Sequence, residues 1–269
     1  MEQASTEAGD GDPPPLLVAL QDGVLLLTLN RPNQANAIDQ AMELALAEVI
    51  LAARSDSTVQ VIVITGAGDR FFCSGMDVKP RANGAAGRPV SGPMEGRERS
   101  IFEIILQTYK PTIAAMNGAA AGGGVDLALA CDLRVQVAGS YMMLPEVRRG
   151  MAAHFSSILL PRAAPSAIAF EMLYLGDKVQ AQRAYDVGLV NRLAQPGETL
   201  TVAMEMARTI AANAPVSLQR IKETSTKASG LPLFTALHLN EGLSPYDTED
   251  RKEGMRAFIQ KRNPVWKGR

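Results

Sequence analysis

Two acidic residues and two glycine-rich loops are the parts of this sequence whose residue types and spacing could do chemistry. The stretch AAAGGGVDLALACD, residues 119–132, places three consecutive glycines before a lone carboxylate, Asp126, in an otherwise apolar run. Glycine loses much conformational freedom when it is ordered, and a carboxylate is costly to bury, so this combination needs a reason. A second glycine-punctuated loop, FFCSGMD, occupies residues 71–77, and Glu146 follows further on in LPEVRRG.

The glycine stretch follows a predicted strand and opens a predicted helix. Backbone N–H groups at a helix start lack partners within the helix and carry the positive end of its dipole. If each loop supplies one N–H group, the pair could stabilise a carbonyl oxygen that gains negative charge during a reaction. Two phosphate motifs are excluded, because the dinucleotide fingerprint needs a glycine where Leu127 stands and a P-loop needs a lysine after Gly124. Close packing of a loop on a strand is the alternative explanation of the glycines.

Asp126 and Glu146 are a candidate pair for proton transfer. Two carboxyl groups near a polarised carbonyl can move protons to and from the carbons beside it. A single acid on an apolar helix face is, by contrast, usually a capping or packing residue that has hydrogen-bond partners. Sequence spacing alone leaves both interpretations open.

The other reactive residue types give weaker signals. Ser156 and Ser157 suggest a serine nucleophile, but the GxSxG turn of such enzymes does not surround them. Cys73 and Cys131 have no neighbouring histidine and are predicted to be small core residues. With two scattered histidines and no ligand cluster, no metal site is predicted.

An α/β framework is predicted to position these residues. Apolar, often β-branched runs predict strands at residues 16–20, 24–29, 59–65, 111–117 and 133–137. The Asp22-Gly23 step between the first two runs predicts a hairpin. The first half therefore alternates strand, glycine loop and helix, which favours α/β layers. Helices are predicted in the second half at residues 165–176, 181–187, 198–213, 215–228, 231–243 and 247–262.

Composition restricts the class of protein. The chain has 269 residues, of which 46% are hydrophobic and 20% charged, as in an ordinary globular protein. A net charge of −1 gives no support to nucleic-acid binding. The sequence contains no run of about 18 apolar residues, so no membrane span is predicted. Residues 1–14 are acidic and proline-rich, and they are predicted to be a disordered lead-in rather than a signal peptide. Two distant cysteines favour a reducing, cytoplasmic location.

Six ordered motifs resemble the crotonase, or enoyl-CoA hydratase/isomerase, superfamily. They are NRPNQANAI, FFCSGMDVK, KPTIAAMNGAAAGGGVDLALACDLRV, LPEVRRGMA, GLVNRL and DTEDRKEGMRAFIQKR. The resemblance runs from about residue 16 to the C-terminus, with its main gap at residues 79–96. It implies a crotonase-type spiral of ββα units over residues 15–200. It also implies a helical C-terminal oligomerisation region over residues 201–269, which forms a homotrimer or a hexamer.

The resemblance also implies a substrate and a set of site residues. Members of the superfamily bind acyl-CoA thioesters, so coenzyme A is part of the substrate and no separate cofactor is expected. The backbone N–H groups of Met76 and Gly123 would polarise the thioester carbonyl. Glu146 matches the downstream glutamate of the hydratases, and Asp126 stands where those enzymes have the upstream one. The positions that match coenzyme A contacts are Ala35, Ala37, Asp77, Phe258 and Lys261.

The predicted reaction is hydration of a trans-2-enoyl-CoA. Asp126 leaves a double-bond isomerase as an alternative, because the dienoyl-CoA isomerase branch also has aspartate in GGGVDL. That branch has a second aspartate where this chain has His154, which weakens the match. A non-catalytic acyl-CoA-binding protein is the other alternative. Residues 79–96 and 151–161 are predicted to line the acyl pocket.

Overall fold

The computed structural model describes residues 13–77, 99–240 and 242–269. Most of the predicted lead-in, residues 1–12, and the whole predicted acyl-pocket loop at 79–96 lie outside the described residues. The strands of the described chain are β1 Leu16–Gln21, β2 Val24–Leu29, β3 Val61–Gly66, β4 Phe71–Cys73, β5 Thr112–Met116, β6 Ala119–Ala121, β7 Leu133–Val137, β8 Tyr141–Met143, β9 Val179–Gln180 and β10 Arg192–Ala194. Its α-helices are α1 Gln40–Ser55, α2 Ile101–Leu106, α3 Gly123–Ala130, α4 His154–Ala163, α5 Ser166–Leu175, α6 Ala181–Asp186, α7 Thr199–Ala211, α8 Pro215–Ala228, α9 Leu233–Leu237 and α10 Glu249–Ile259.

The strands form two sheets, which successive strands of the chain enter in alternation. The larger sheet has the order β1-β2-β3-β5-β7-β10, and the smaller has the order β4-β6-β8-β9. Three times in succession, one strand enters the large sheet, the next enters the small sheet, and the next described helix follows: β3-β4-α2, β5-β6-α3 and β7-β8-α4. This repeated ββα unit confirms the predicted α/β spiral.

Only the ends of the sheets are antiparallel. The β1–β2 pair is the predicted hairpin, and its turn residues Asp22 and Gly23 have φ values of 51° and 78°. Positive φ at both central positions is the signature of the type I′ turn, which matches the twist of the flanking strands. The pairs β2–β3, β3–β5, β5–β7 and β7–β10 are all parallel, as crossover connections require.

The large sheet is covered on both faces. Every residue of β3 is buried, which explains its continuous apolar run. Because side chains alternate along a strand, Ile62 and Ile64 join the main core with α1, α2 and α3. Val61 and Val63 join a second cluster on the opposite face.

Helix α7 closes that opposite face. Its Ala203 and Ala207 are fully buried in the second cluster, and their small side chains let the helix lie close to the sheet. The predicted division of the chain between residues 200 and 201 falls within this helix, so the division itself stays a prediction. No helix among the described residues is long and apolar enough to cross a membrane.

A buried lysine joins the C-terminal helices to the sheet. Lys222 of α8 lies 2.8 Å from Asp132 Oδ2 through its Nζ, and it also donates to the Lys110 carbonyl at 2.8 Å and to Thr112 Oγ1 at 3.2 Å. These partners lie at the amino ends of β5 and β7, on the opposite side from the glycine loops.

One helix prediction is wrong. Helix α9 covers only Leu233–Leu237 of the helix expected at residues 231–243, and the following residues to 240 are not helical. The apolar side chains of this segment do not pack on the core of the subunit, as Phe234 is 77% exposed. Gly242, with φ of 75°, lies in a conformation that ends helices.

Candidate active site

The two glycine loops meet because β4 and β6 are neighbours in the small sheet. Residues 74–77, which follow β4, are called the Met76 loop. A β-bridge to Ile38 fixes this loop: the Ile38 N–H donates to the Gly75 carbonyl at 2.8 Å, and the Ile38 carbonyl accepts from the Asp77 N–H at 2.8 Å. Gly123 is the first residue of α3, and a Cβ atom placed on it would lie 3.3 Å from the Met76 backbone nitrogen. Within the described chain, neither the Met76 nor the Gly123 N–H donates to another protein group.

Two of the glycines are required by contact. Gly122 has φ of 52°, and a Cβ atom there would stand 2.7 Å from Glu146 Oε1. A Cβ atom on Gly124 would overlap the Cys73 carbonyl oxygen, so only glycine lets β4 and α3 approach this closely. The close packing given as the alternative explanation is present, and it brings the two N–H groups side by side. Their role as donors to a carbonyl oxygen stays a prediction.

Asp126 lies one helical turn into α3, where its N–H donates to the Gly122 carbonyl at 3.2 Å. Its side chain is nearly buried, and Asp126 Oδ1 accepts a hydrogen bond from Ser156 Oγ of α4. Burial raises the pKa of Asp126 to about 7, the Ser156 hydrogen bond opposes this rise, and the charge of Glu146 adds to it. The carboxyl is therefore poised to gain or lose a proton near neutral pH.

Glu146 belongs to a short 3-10 helix, Pro145–Arg149, that follows β8. Its Oε2 is buried and has no hydrogen-bond partner in the described part of the protein. Burial raises its pKa as well, against its own backbone N–H and the charge of Arg149. A Cβ atom on Gly122 would lie 2.7 Å from Glu146 Oε1, and the charge of Glu146 raises the pKa of Asp126, so the two acids and the N–H pair share one site.

This arrangement has a defined chemical capacity. Two N–H groups side by side stabilise negative charge on a carbonyl oxygen, and removing one such donor typically slows turnover by about 10²–10³-fold. Two acids with raised pKa values beside them can transfer protons at the adjacent carbons. The structure thus brings together all four predicted catalytic residues, Met76, Gly123, Asp126 and Glu146.

Sequence reasoning missed Ser156 as a partner of Asp126. It considered this serine only as a nucleophile, whereas the hydroxyl is fully buried and donates to a carboxyl oxygen.

His154 is the half-buried first residue of α4. Both cysteines are buried free thiols, as predicted, and burial raises their pKa to about 12. Among the described residues, no three potential metal ligands lie together.

Comparison with known proteins identifies the family. The model of the Enoyl-CoA hydratase/isomerase family matches residues 19–269. The chain belongs to the enoyl-CoA hydratase/isomerase family. It is 36% identical to (E)-benzylidenesuccinyl-CoA hydratase of Thauera aromatica over 94% of this chain and 99% of that protein. It is 38% identical to carnitinyl-CoA dehydratase of Escherichia coli over 91% of this chain and 95% of that protein.

Solved structures of the enoyl-CoA hydratase/isomerase family agree with the fold. The crystal structure of enoyl-CoA hydratase from Mycobacterium tuberculosis superimposes with a TM-score of 0.86 at 36% identity, over 96% of this chain and 100% of that one. Enoyl-CoA hydratase EchA1 from Mycobacterium marinum gives 0.85 at 36% identity, over 96% and 100% of the two chains. The crotonase resemblance inferred from the motifs is therefore confirmed.

Three of the expected coenzyme A positions of this family member lie beside the Met76 loop. Ala35, with φ of 52°, accepts a hydrogen bond from the Ser74 N–H at 3.0 Å. Arg31 donates to the Ala37 carbonyl at 2.7 Å and pairs with the Asp77 carboxylate at 3.1 Å. A cavity of about 180 Å³ opens at this point, and it is lined by Pro32, Asn33, Ala35, Asn36, Ala67, Gly68, Asp69, Arg70 and Phe71.

The other two expected positions lie at the C-terminal end of α10. Phe258 is 85% exposed, and Lys261 follows the helix with φ of 52°. No described hydrogen bond or ion pair joins either residue to the Met76 loop within one subunit.

Proposed function

We propose that this protein is an enoyl-CoA hydratase that adds water to a trans-2-enoyl-CoA thioester. The observation that carries the proposal is the pair of N–H groups on Met76 and Gly123, which have no partner among the described residues and lie beside the buried Asp126 and the half-buried Glu146. Membership of the enoyl-CoA hydratase/isomerase family supports it, as do relatives named hydratase and dehydratase.

The N–H pair activates the substrate. The thioester oxygen accepts hydrogen bonds from the Met76 and Gly123 N–H groups, which draw electron density from the conjugated double bond and make Cβ electrophilic. When water attacks Cβ, negative charge moves onto the thioester oxygen as an enolate. The two N–H groups stabilise this charge more strongly than the neutral carbonyl of the ground state, so they accelerate the step.

The two acids handle the protons. Water donates one hydrogen bond to the ionised Asp126, which orients it, and gives its other proton to the Glu146 carboxylate as its oxygen bonds to Cβ. Glu146 then returns a proton to Cα as the enolate collapses. The sum is syn addition of H and OH across the double bond, and both carboxyl groups end as they began.

The same proposal covers substrate binding and assembly. The adenosine end of coenzyme A occupies the cavity at Ala35, next to Ala37 and Asp77. Phe258 and Lys261 of a neighbouring subunit cover it in a homotrimer or a hexamer. The C-terminal helices offer the apolar surface for such contacts, since Ile221, Phe234, Leu237 and Phe258 are each at least 65% exposed. A cytoplasmic location fits the two free thiols.

The test uses purified protein with a panel of trans-2-enoyl-CoA and 3,5-dienoyl-CoA esters. We expect loss of the enoyl-thioester absorbance and a product one water heavier. Glu146→Gln should slow this turnover by about 10²–10⁴-fold because it removes the proton carrier. Glu205→Gln, at an exposed position of α7, is the control and should match the wild type.

Three results would contradict the proposal. Full turnover by Glu146→Gln would remove the proposed proton carrier. A rising 2,4-dienoyl absorbance at unchanged mass would instead establish a double-bond isomerase, in which Asp126 and Glu146 shuttle a proton between carbons. Tight binding of the esters without turnover of any of them would favour the non-catalytic alternative.

A further inference from the structure

The Asp126 carboxyl has a partner that the mechanism above does not use. Ser156 Oγ donates to Asp126 Oδ1, across 30 positions of sequence, where α4 packs against α3. Ser156 is fully buried, so water does not compete for this hydrogen bond. A hydroxyl that donates to an ionised carboxylate forms a charge-assisted hydrogen bond, which is stronger than its bond to the protonated acid.

We propose that Ser156 is a positioning residue that fixes Asp126 Oδ1, leaves Oδ2 for the reacting water, and favours the ionised carboxylate. The effect on turnover rests on the proposed hydratase function. The effect on the titration of Asp126 rests on the hydrogen bond alone and is measurable without substrate.

The surroundings of Asp126 explain why such a partner matters. Apolar neighbours remove water from the carboxyl, and Glu146 faces it from the 3-10 helix after β8, so both disfavour its charge. Cys73 faces it from β4, but burial raises the pKa of that thiol to about 12, which keeps it neutral in the working range. The Ser156 hydrogen bond lowers the pKa of Asp126 against these effects.

The size of the effect follows from the charge on the acceptor. Loss of one hydrogen bond to a charged group is expected to raise the pKa of Asp126 by about one unit or more. Starting from a pKa of about 7, a rise of about one unit lowers the ionised fraction at pH 7 by about fivefold. Turnover should fall by the same factor at pH 7 and recover near pH 9.

The experiment compares Ser156→Ala with Ser157→Ala. Ser157 is the neighbouring exposed serine, and its hydroxyl donates to the carbonyl of Ala153, the N-cap residue of α4, at 2.8 Å. The Asp126 carboxyl is titrated by ¹³C NMR of aspartate-labelled protein, and Asp126→Asn assigns its signal. Aspartate-specific labelling restricts the observed signals to aspartate carboxyl groups, so His154, two positions before Ser156, contributes none. We expect the midpoint to rise by about one unit in Ser156→Ala and to stay in place in Ser157→Ala.

Each outcome decides the matter. An Asp126 midpoint that is equal in Ser156→Ala and wild type overturns the inference, whatever reaction the protein catalyses. A fall in kcat that is the same at every pH overturns the effect of Ser156 on the ionisation of Asp126, because a carboxylate that regains its charge at high pH should regain turnover. If wild-type protein hydrates no ester, the proposed function fails while the titration still tests Ser156. Ser156→Cys, a similar-sized residue with a weaker donor, covers poor folding of the alanine variant and should shift the midpoint by less.

Discussion

Replacing Asp126 with asparagine should stabilise the protein above neutral pH, even though it removes a proposed catalytic group. The pKa of Asp126 is about 7 in the folded protein, against an ordinary value of 3.8. Between these values the folded state keeps a proton that the unfolded state releases. The free energy of unfolding therefore falls as pH rises through this window, and the full penalty is present above pH 7.

The size of this destabilisation follows from the shift in the pKa of Asp126. About three pKa units at about 1.4 kcal/mol each correspond to a destabilisation of about 4 kcal/mol at pH 8. Asparagine carries no charge to desolvate, and its side-chain carbonyl can still accept the Ser156 hydrogen bond. Asp126→Asn should therefore gain up to about 4 kcal/mol over the wild type at pH 8 and close to nothing at pH 4.

Urea unfolding at pH 4, 6 and 8, at one fixed subunit concentration, measures this difference. Asp186→Asn is the matched control, because it makes the same substitution at an exposed position of α6 and therefore reports any change that does not come from burial. A difference for Asp126→Asn that is flat from pH 4 to pH 8, or a loss of stability at pH 8, would refute the argument that burial of this carboxyl is costly.

Two further substitutions test other parts of the structure. Gly122→Ala places a Cβ atom 2.7 Å from Glu146 Oε1 and should slow turnover by about 10²-fold through misplacement of that acid. Gly139→Ala has the same kind of positive φ with no atom within 4 Å, so steady-state kinetics of Gly139→Ala as poor as those of Gly122→Ala would point to backbone strain instead. Lys222→Ala removes a buried ammonium group that donates to the Lys110 carbonyl and Thr112 Oγ1 and pairs with the exposed Asp132, so it should lower the free energy of unfolding by about 2 kcal/mol. The exposed pair of Lys267 should contribute less than about 1 kcal/mol, and equal losses in the two alanine variants would contradict this account of Lys222.

Five of the six strands of the large sheet were predictable from sequence because they have clear patterns, whereas the sixth, β10, was missed. The run at residues 61–64 is apolar throughout, as expected of a parallel strand covered on both faces, and the Asp22-Gly23 step specified the hairpin. The strands β4, β6 and β8 were missed. Each has three residues, which is too short to show a period of two, and Ala119–Ala121 has no β-branched residue.

The candidate site was also predictable only in part. Asp126 and Glu146 were identifiable as a candidate pair for proton transfer, and the glycines indicated a close approach of the backbone. The hydrogen bond from Ser156 was not predictable, since it depends on how α4 packs on α3 across 30 residues of sequence. The closeness of Gly123 to Met76 was not predictable either, because it depends on the pairing of the missed strands β4 and β6. A Cβ atom on Gly123 would lie 3.3 Å from the Met76 nitrogen.

The parallel pairing of the spiral has a kinetic consequence. The β3–β5 pair joins Ile64 to Ala114, and the β7–β10 pair joins Val135 to Arg192, so each requires closure of a long loop before it gains any contact. In the large sheet only the β1–β2 hairpin pairs through a short turn. Folding should thus be slow for the chain's size, with hairpin amides protected earlier than those of β10 in pulse-labelled hydrogen exchange during refolding. The loops that carry Met76 and Gly123 come from two separate ββα turns, so a nascent or truncated chain holds the sequence motifs of the site without its geometry.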